Sequence, residues 1–237
     1  MTKPATSLSR EAFESLRTLD TCTASNAIET FELRLRNEGF VVQAARCQFP
    51  RLPPMLGYAV TGRIRSSSAP MKGHCYYDRM DFWKHVTTLP APRVIVMQDV
   101  DHAPGTGALV GEIHAEIGHA LDCVGYVTNG AVRDLPAVEA LGFHLFAGSV
   151  AVSHAYAHIV DFGEAVEIGG LRIEPGDLLH GDRHGIHSIP LEIAAQVPAM
   201  AAQVLARERE LIDYCRSAGF SLTTLAEKFG LGGASRT

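Results

Sequence analysis

The residues best suited to chemistry lie in one segment, 111–134. It begins Gly-Glu-Ile-His and ends Asn-Gly-Ala-Val-Arg-Asp. Glu112 stands at a predicted helix N-terminus after a Gly-rich loop, where backbone N–H groups and the helix dipole favour anions. Arg133 offers a planar fork for a carboxylate or an enolate oxygen, and Asp134 offers oxygen ligands for Mg²⁺ or Mn²⁺. An ordinary surface ion pair beside a first-turn acid is the equally weighted alternative.

Two predicted strands position this segment. The β-branched runs 93–99 and 123–128 are typical of strands that are buried on both faces. Each leads through a glycine-containing loop to a predicted helix, 112–121 and 135–141, and a third strand follows at 143–147. This alternation predicts parallel strands with right-handed crossovers, whose carboxyl ends collect ligands. Arg133, Asp134 and the start of helix 112–121 would then share one rim of the sheet.

The rest of the chain predicts one domain without repeats or linkers, residues 1–237. A helical N-terminal segment of about 8–38 precedes a core of about 39–190 and C-terminal helices of about 191–230. Residues 165–177 alternate in polarity around Gly-Gly and Pro-Gly-Asp turns, which predicts hairpins or a small barrel-like layer. The other predicted elements are helices at 10–18, 24–37 and 81–86, a long helix at 191–217 entered around Pro198, a strand at 57–64 and a short helical segment at 221–229.

Composition excludes several classes of protein. The 237 residues are 46% hydrophobic and 20% charged, as in soluble globular domains. A net charge of −5 argues against nucleic-acid binding, and no apolar stretch approaches the roughly 20 residues of a membrane helix. Neither a signal peptide nor a C-x-x-C pair is visible, and the five cysteines are scattered. These features predict a reduced, cytoplasmic protein.

The sequence contains only weaker motifs for other kinds of chemistry. A dinucleotide fingerprint beginning at Gly105 would need glycine at position 110, which is valine, and a methyltransferase lacks the same fingerprint. Ser149 has no assigned base and no G-x-S-x-G context. His154 and His158 are four apart on a predicted helical turn and could hold zinc, although H-E-x-x-H is absent. His180, His184 and His187, in a Gly-rich loop and strand, could likewise hold a metal. Paired or surface histidines are the alternative for both groups.

The segment 111–134 closely resembles the RraA-like family. The resemblance rests on Gly-Glu before a helix and on Gly-Tyr-Val-Thr-Asn-Gly-Ala-Val-Arg-Asp, and it extends over roughly residues 20–230. Members that are aldolases carry an acidic residue, twenty intervening positions and then Arg-Asp. Arg133 lies 21 positions after Glu112, which leaves those twenty, and Asp134 follows.

The chain also departs from the family pattern. Asn129 stands where the family often has aspartate, and Cys123 replaces a frequent glycine. The segment 76–83, from Tyr76 to Trp83, has little counterpart in the family. We expect it to shape a different substrate pocket.

The resemblance implies a fold, an assembly and a place for the site. The fold would be an α/β/β sandwich that resembles the swivelling phosphohistidine domain. The protein would assemble as a homotrimer or hexamer, with the active site between subunits. In the aldolases of the family, a C-terminal acid of the neighbouring subunit supports the metal's water shell, and Glu208 is the candidate here.

The resemblance also implies an activity. The protein would be a divalent-metal-dependent class II aldolase that releases pyruvate from a 4-hydroxy-2-oxo acid, with oxaloacetate decarboxylation as a related activity. Asp134 would bind Mg²⁺ or Mn²⁺, Arg133 and Glu112 would be catalytic, and the backbone at Gly111, Ile113 and His114 would hold the substrate. The alternatives are a non-enzymatic regulator that binds an RNA-degradation protein, and an organic-acid-binding protein without turnover.

Overall fold

The computed structural model describes residues 8–70 and 79–230. Its helices are α1 (Arg10–Arg17), α2 (Thr21–Glu29), α3 (Arg79–Val86), α4 (Glu112–Ala120), α5 (Leu135–Leu141), α6 (Val197–Cys215) and α7 (Leu222–Phe229). Its strands are β1 (Arg46–Cys47), β2 (Met55–Arg65), β3 (Arg93–Asp99), β4 (Ala108–Val110), β5 (Cys123–Thr128), β6 (Ala131–Val132), β7 (His144–Ala147), β8 (Ser149–Val150), β9 (His158–Phe162), β10 (Val166–Ile168), β11 (Leu171–Ile173), β12 (Leu178–Asp182) and β13 (Gly185–Ile189).

Within the described residues, the main sheet has eight strands. Their order is β1-β7-β5-β3-β2-β12-β13, and β9 pairs with β2 as well. Strands β2, β3, β5 and β7 are parallel, whereas β1, β9, β12 and β13 join antiparallel. The central parallel strands carry near-continuous apolar runs because both of their faces are covered. The predicted parallel core is therefore confirmed.

The two faces of the main sheet carry different layers. Side chains alternate along β2, so Tyr58 and Val60 point to one face and Ala59 to the other. Helices α1, α2 and α6 pack against the Tyr58 end of the first face, and α3, α4 and α5 pack against its Val60 end. The hairpin β10–β11 covers the opposite face, where Ile168 and Ile173 are fully buried. These layers confirm the expected α/β/β arrangement and the predicted hairpin at 165–177.

A small second sheet was not predicted from the sequence. Strands β4, β6 and β8 pair in parallel, with Val110 beside Val132 and Ala131 beside Ser149. Each strand has only two or three residues. Such lengths are too short for a side-chain period to be recognised. Its strands β4, β6 and β8 come after β3, β5 and β7 along the chain, and the candidate site residues follow β4 and β6.

One predicted helix ends earlier than expected. The helix predicted over 24–37 is instead α2, which ends at Glu29, and Glu32 has a left-handed φ of 53° that no helix continues through. Beyond it, the guanidinium of Arg34 donates to the side chain and the carbonyl of Ser188, which fixes this stretch as irregular backbone. The C-terminal helix of segment 191–217 begins at Val197 with Pro198 in its first turn, which confirms the expected entry around Pro198. No helix among the described residues is long and apolar enough to cross a membrane.

Candidate functional site

The predicted site residues meet because β4 and β6 lie side by side. Both strands run in the same direction, so the residues that follow them emerge at the same edge. Gly111 and Glu112 follow β4, while Arg133 and Asp134 follow β6. The backbone N–H of Arg133 donates to the carbonyl of Val110 at 3.1 Å and ties the two ends together. The main strands β3 and β5 had been expected to align these residues, but the small sheet makes the contact.

Asp134 lies at the centre of this edge. Its carboxylate accepts a hydrogen bond from the backbone N–H of Glu112 at 3.1 Å and from Nε of Arg133 at 3.2 Å. The Glu112 N–H, followed by the Arg133 side chain, holds the pKa of Asp134 below its ordinary value. The carboxylate is therefore ionised at neutral pH. Its side chain is 34% exposed, so a ligand can reach it from solvent.

The backbone is shaped to bring this carboxylate to the start of α4. Asp134 has a left-handed conformation (φ 56°, ψ 36°), which aspartate adopts more readily than most residues. A Cβ atom on Gly111 would overlap Oδ2 of Asp134. Glycine at position 111 is thus required for space, because its φ of −138° is open to any residue. Left-handed non-glycine backbone is concentrated at functional sites.

Arg133 and the N-terminus of α4 leave hydrogen-bonding capacity at this edge. Nε of Arg133 is bonded to Asp134, and both Nη groups have no partner among the described residues. The first N–H groups of an α-helix have no acceptor within the helix. Ile113 is 73% exposed and the side chain of Glu112 is exposed, so the helix start opens to solvent. Both kinds of donor suit an anionic ligand.

His114 leads from this edge towards α3. Its ring centroid lies 6.2 Å from that of Trp83, and both residues border an internal cavity of only about 10 Å³. A space of that size holds at most one water molecule. Of the segment expected to shape a substrate pocket, residues 76–78 lie outside the described residues, and Trp83 packs beside His114. A pocket for the distal half of a substrate remains a prediction.

The donor set suits a hard divalent cation with few protein ligands. Two donors among the described residues bond to the Asp134 carboxylate, the Glu112 N–H and the Arg133 Nε–H that both oxygens share, so the carboxylate keeps capacity for further partners. The described residues contain no cluster of three or more His, Cys, Asp or Glu side chains able to hold a metal. Mg²⁺ is commonly bound through one or two carboxylates and keeps several waters. Asp134 therefore fits Mg²⁺, whose remaining ligands would be water, substrate or groups of a second subunit.

Glu208 lies elsewhere within the chain. It is on α6, which packs on α1 and α2, and its Oε1 accepts a hydrogen bond from Nδ2 of Asn26 at 3.1 Å. The structure does not bring it to Asp134 in the same chain. Its role as a ligand from a neighbouring subunit remains a prediction.

The helical turn predicted around His154 and His158 is wrong. His154 lies in a loop, and its Nδ1 is 3.2 Å from the carbonyl of Ala108. His158 begins β9, with its Nδ1 2.6 Å from the carbonyl of Tyr156. The four-residue spacing therefore does not place the two rings as helical neighbours. His154 is still near enough to Asp134 to help lower the pKa of that carboxyl group.

Asp99 and Asn129 support the site and were not predicted to do so. The side-chain oxygen of Asn129 accepts from the N–H of Asp99 at 2.7 Å, and its amide group donates to the carbonyl of Asp99 at 2.9 Å. The carboxylate of Asp99 accepts from the N–H of Gly105 at 2.8 Å. These bonds join the ends of β3 and β5 and hold the loop that leads to β4. An aspartate closing a buried strand was the only sequence signal.

Comparisons with known proteins agree with this architecture. A curated protein from Halalkalibacterium halodurans, named "Putative 4-hydroxy-4-methyl-2-oxoglutarate aldolase", is 31% identical over 113 residues, which are 46% of this chain. The match spans about half, 54%, of that relative's length.

Two solved structures share the fold. An uncharacterized protein from Pseudomonas syringae pv. tomato has a TM-score of 0.73 at 21% identity, covering 96% of this chain and 98% of its own. Streptomyces coelicolor RraAS2, described as an unusual member of the RNase ES inhibitor RraA protein family, has a TM-score of 0.67 at 19% identity, covering 87% and 98%. The family described as RraA-like, Aldolase/RraA, matches residues 21–187. The resemblance read from the sequence is confirmed, and the chain belongs to the RraA-like family.

Proposed function

We propose that this protein is a divalent-metal-dependent class II aldolase. It releases pyruvate from a 4-hydroxy-2-oxo acid of the 4-hydroxy-4-methyl-2-oxoglutarate type and also decarboxylates oxaloacetate. One observation carries the proposal: the Asp134 carboxylate is held between the Glu112 N–H and Nε of Arg133, while neither Nη group of Arg133 has a hydrogen-bond partner among the described residues. The family, described as Aldolase/RraA, and the name of the Halalkalibacterium relative support it.

The two reactions need the same site. Each breaks a carbon–carbon bond next to a 2-oxo acid and leaves the enolate of pyruvate, on which negative charge develops. The Nη groups of Arg133 bind the oxo-acid oxygens and stabilise that charge. The substrate carboxylate lies at the start of α4, against the backbone of Gly111, Ile113 and His114. Glu112, whose side chain is exposed beside them, moves a proton to or from the substrate hydroxyl through water.

Asp134 would hold the metal. A bound Mg²⁺ or Mn²⁺ supplies Lewis-acid stabilisation of the enolate oxygen. The contribution of the chain is to keep the Asp134 carboxylate ionised and fixed in direction, through the Glu112 N–H and the Arg133 side chain. The same two contacts hold Arg133 beside the place where substrate charge develops.

The active form is proposed to be a homotrimer or hexamer. Apolar side chains are exposed around the candidate site, including Val152 at 100% and Ile113 at 73%. Strand β8, one of the two outer strands of the small sheet, is exposed at both of its residues. Exposed apolar patches and strand edges are typical of surfaces that another chain covers. In such an assembly, Glu208 of a neighbouring subunit is the proposed additional acid near Asp134.

Pyruvate release from oxaloacetate tests the proposed activity. The protein is incubated with oxaloacetate and with Mg²⁺, Mn²⁺ or a chelator, and pyruvate is followed by coupled reduction to lactate. Because metal ions alone decarboxylate oxaloacetate, Asp134→Asn protein at the same concentration is the control. Metal-dependent turnover by the wild-type protein only is the expected result.

A negative result would redirect the assignment. Absence of turnover with oxaloacetate and with 4-hydroxy-4-methyl-2-oxoglutarate would refute the aldolase proposal. A folded protein that instead inhibits an RNA-degradation protein would be the regulator considered from the sequence.

A further inference from the structure

A third strand end reaches the edge that carries the candidate site. Strand β8 pairs with β6 in parallel, so the residues that follow β8 emerge beside those that follow β4 and β6. The N–H of Ala151 donates to the carbonyl of Val132 at 3.0 Å. Two residues later, the carbonyl of Ser153 accepts from the N–H of Ala108 in β4, also at 3.0 Å. Residues 151–153 therefore carry the chain from β8, past the end of β6, to β4.

His154 is the next residue, and its backbone is fixed on both sides. A Cβ atom on Gly107 would overlap the carbonyl oxygen of His154, so glycine is needed there for the close approach. Ala155 has a left-handed φ of 46°, and its N–H donates to the hydroxyl of Ser153 at 3.0 Å. Left-handed non-glycine backbone is concentrated at functional sites. The chain thus holds His154 at a specified place beside β4.

The ring of His154 has one bonded nitrogen and one available nitrogen. Its Nδ1 lies 3.2 Å from the carbonyl oxygen of Ala108. A carbonyl only accepts, so Nδ1 carries the proton of the neutral ring and Nε2 carries a lone pair. Nε2 has no hydrogen-bond partner among the residues that the structure describes. His154 is exposed although its carbonyl packs on Gly107 and its Nδ1 faces Ala108, so its exposure comes from the rest of the side chain, which includes Nε2.

The ring also acts on Asp134 across this edge. The Glu112 N–H and the Arg133 side chain lower the pKa of Asp134, and the His154 ring is the next group that lowers it. Interactions between exposed charges are largely screened beyond about 10 Å in roughly 0.1 M salt. His154 therefore lies near the place that the proposed function gives to the substrate, without bonding to Asp134 itself.

Aldol cleavage needs a proton acceptor that decarboxylation does not need. When a 4-hydroxy-2-oxo acid is cleaved, the C4 hydroxyl loses its proton and C4 becomes a carbonyl carbon. The electron pair of the C3–C4 bond forms the enolate of pyruvate. Oxaloacetate has no hydroxyl on C4, and its C3–C4 bond breaks to release CO₂ and the same enolate. A group that only receives the hydroxyl proton therefore matters for one reaction and not for the other.

We propose that Nε2 of His154 accepts the proton of the C4 hydroxyl from the water that Glu112 holds. This inference rests on the proposed function and adds the group at which the proton is kept during cleavage. The hydroxyl O–H bond and the C3–C4 bond break, and the proton moves to Nε2. It then passes from the ring back to C3, so that the enolate becomes pyruvate. The ring ends in its starting form, and no further reactant is consumed.

His154→Asn separates this role from support of the loop. The asparagine amide can donate to the Ala108 carbonyl as Nδ1 does, but no proton acceptor remains at the position of Nε2. A positioned acid–base group typically contributes about 10²–10⁴-fold, so kcat for cleavage of 4-hydroxy-4-methyl-2-oxoglutarate should fall by at least about 10²-fold. Oxaloacetate decarboxylation by the same preparation, with saturating Mg²⁺, should stay within a few-fold of wild type.

A second variant, a matched control and a spectrum complete the test. His154→Gln should give the same difference between the two reactions, because its amide takes up no proton, and it keeps the test available if His154→Asn does not fold. His119→Asn changes an exposed histidine in the last turn of α4, away from the helix start, and should leave both activities unchanged. Long-range ¹H–¹⁵N NMR of the wild-type protein without substrate should show the neutral His154 ring protonated on Nδ1.

The outcomes distinguish this inference from the proposed function. If both His154 variants lose the two activities equally, or lose neither, the inference is refuted while wild-type turnover upholds the proposed function. A neutral His154 ring protonated on Nε2 would also refute it, and that readout does not depend on turnover. A wild-type protein that releases pyruvate from neither substrate would instead remove the proposed function, and the inference with it.

Discussion

Arg133→Lys separates enolate stabilisation from simple attraction of an anion. Nε of Arg133 contacts Asp134 at 3.2 Å, and the proposed function assigns to the substrate the two Nη groups, which have no partner among the described residues. Lysine has one compact ammonium group in place of this planar fork. It can pair with Asp134 or reach the substrate oxygens, but it cannot reproduce both contacts at once. The charge of the site is unchanged by the substitution.

The expected loss falls on catalysis and not on folding. Removing one preorganised donor to a developing oxyanion typically costs about 10²–10³ in kcat, or about 2.7–4 kcal/mol. The Arg133–Asp134 pair is partly exposed, at 27% and 34%, and exposed ion pairs contribute only about 0.2–1 kcal/mol to stability. The melting temperature should therefore change little while kcat falls by two orders of magnitude or more.

Steady-state kinetics on oxaloacetate with saturating Mg²⁺ measures this effect. We expect kcat to fall more than KM rises, since the enolate charge is fully developed only near the transition state. Arg172→Lys is a matched control, because Arg172 forms an exposed ion pair with Glu174 on the hairpin side of the sheet. If Arg133→Lys stays within a few-fold of wild type, Arg133 acts as a general attractor and the enolate assignment is refuted.

Four further predictions concern the metal, the approach of α4, the assembly and pH. Chelation should abolish turnover, and excess Mg²⁺ should not rescue Asp134→Ala; full activity in chelator would contradict the metal assignment. Gly111→Ala should lower kcat because its methyl group would overlap the Asp134 carboxylate, and normal kinetics would disprove this. Dilution should lower specific activity as subunits dissociate, and light scattering that detects a fully active monomer would refute a shared site. Asp182→Asn should destabilise the protein at neutral pH, where the carboxylate accepts four hydrogen bonds. The folded-state pKa of Asp182 is lowered, chiefly by the Thr21 N–H against the opposing effect of burial, so its stabilisation is present above about pH 4 and is lost as pH falls through the folded-state pKa. The difference in denaturant-derived unfolding free energy between wild type and variant should accordingly shrink in acid, and a constant difference would be inconsistent with it.

The central strands and their helices could be predicted from the sequence. Strands β3 and β5 are buried on both faces, and their sequences are accordingly runs of apolar, largely β-branched residues. Helix α4 follows Gly111, and α5 follows Asp134 and begins with Leu135-Pro136, where proline is compatible with a first turn. Local preference and tertiary environment agree in these elements, so a local pattern was sufficient.

The small sheet and the end of α2 could not be predicted in the same way. The pairing of Val110 with Val132 depends on residues far apart in sequence, and strands of two or three residues have no recognisable period. After α2, the apolar spacing continues to Leu35, which is 66% exposed and therefore faces no core. The contact between Arg34 and Ser188 is also long-range. In each case the interaction that determines the structure joins residues too far apart in sequence for a local residue pattern to reveal it.

The spacing between Glu112 and Arg133 has a structural explanation that limits what it says about chemistry. Nine residues of α4 carry the chain about 13 Å away from the site, and the six of β5 return it by about 20 Å alongside β3. The turn after β5 and the two residues of β6 then bring Arg133 beside Val110. Any chain with this crossover would show nearly the same interval, whatever its activity. The specific chemical signal is therefore the set of residue types at the two ends: glycine where a side chain would overlap Asp134, and an arginine able to contact Asp134 and a ligand together.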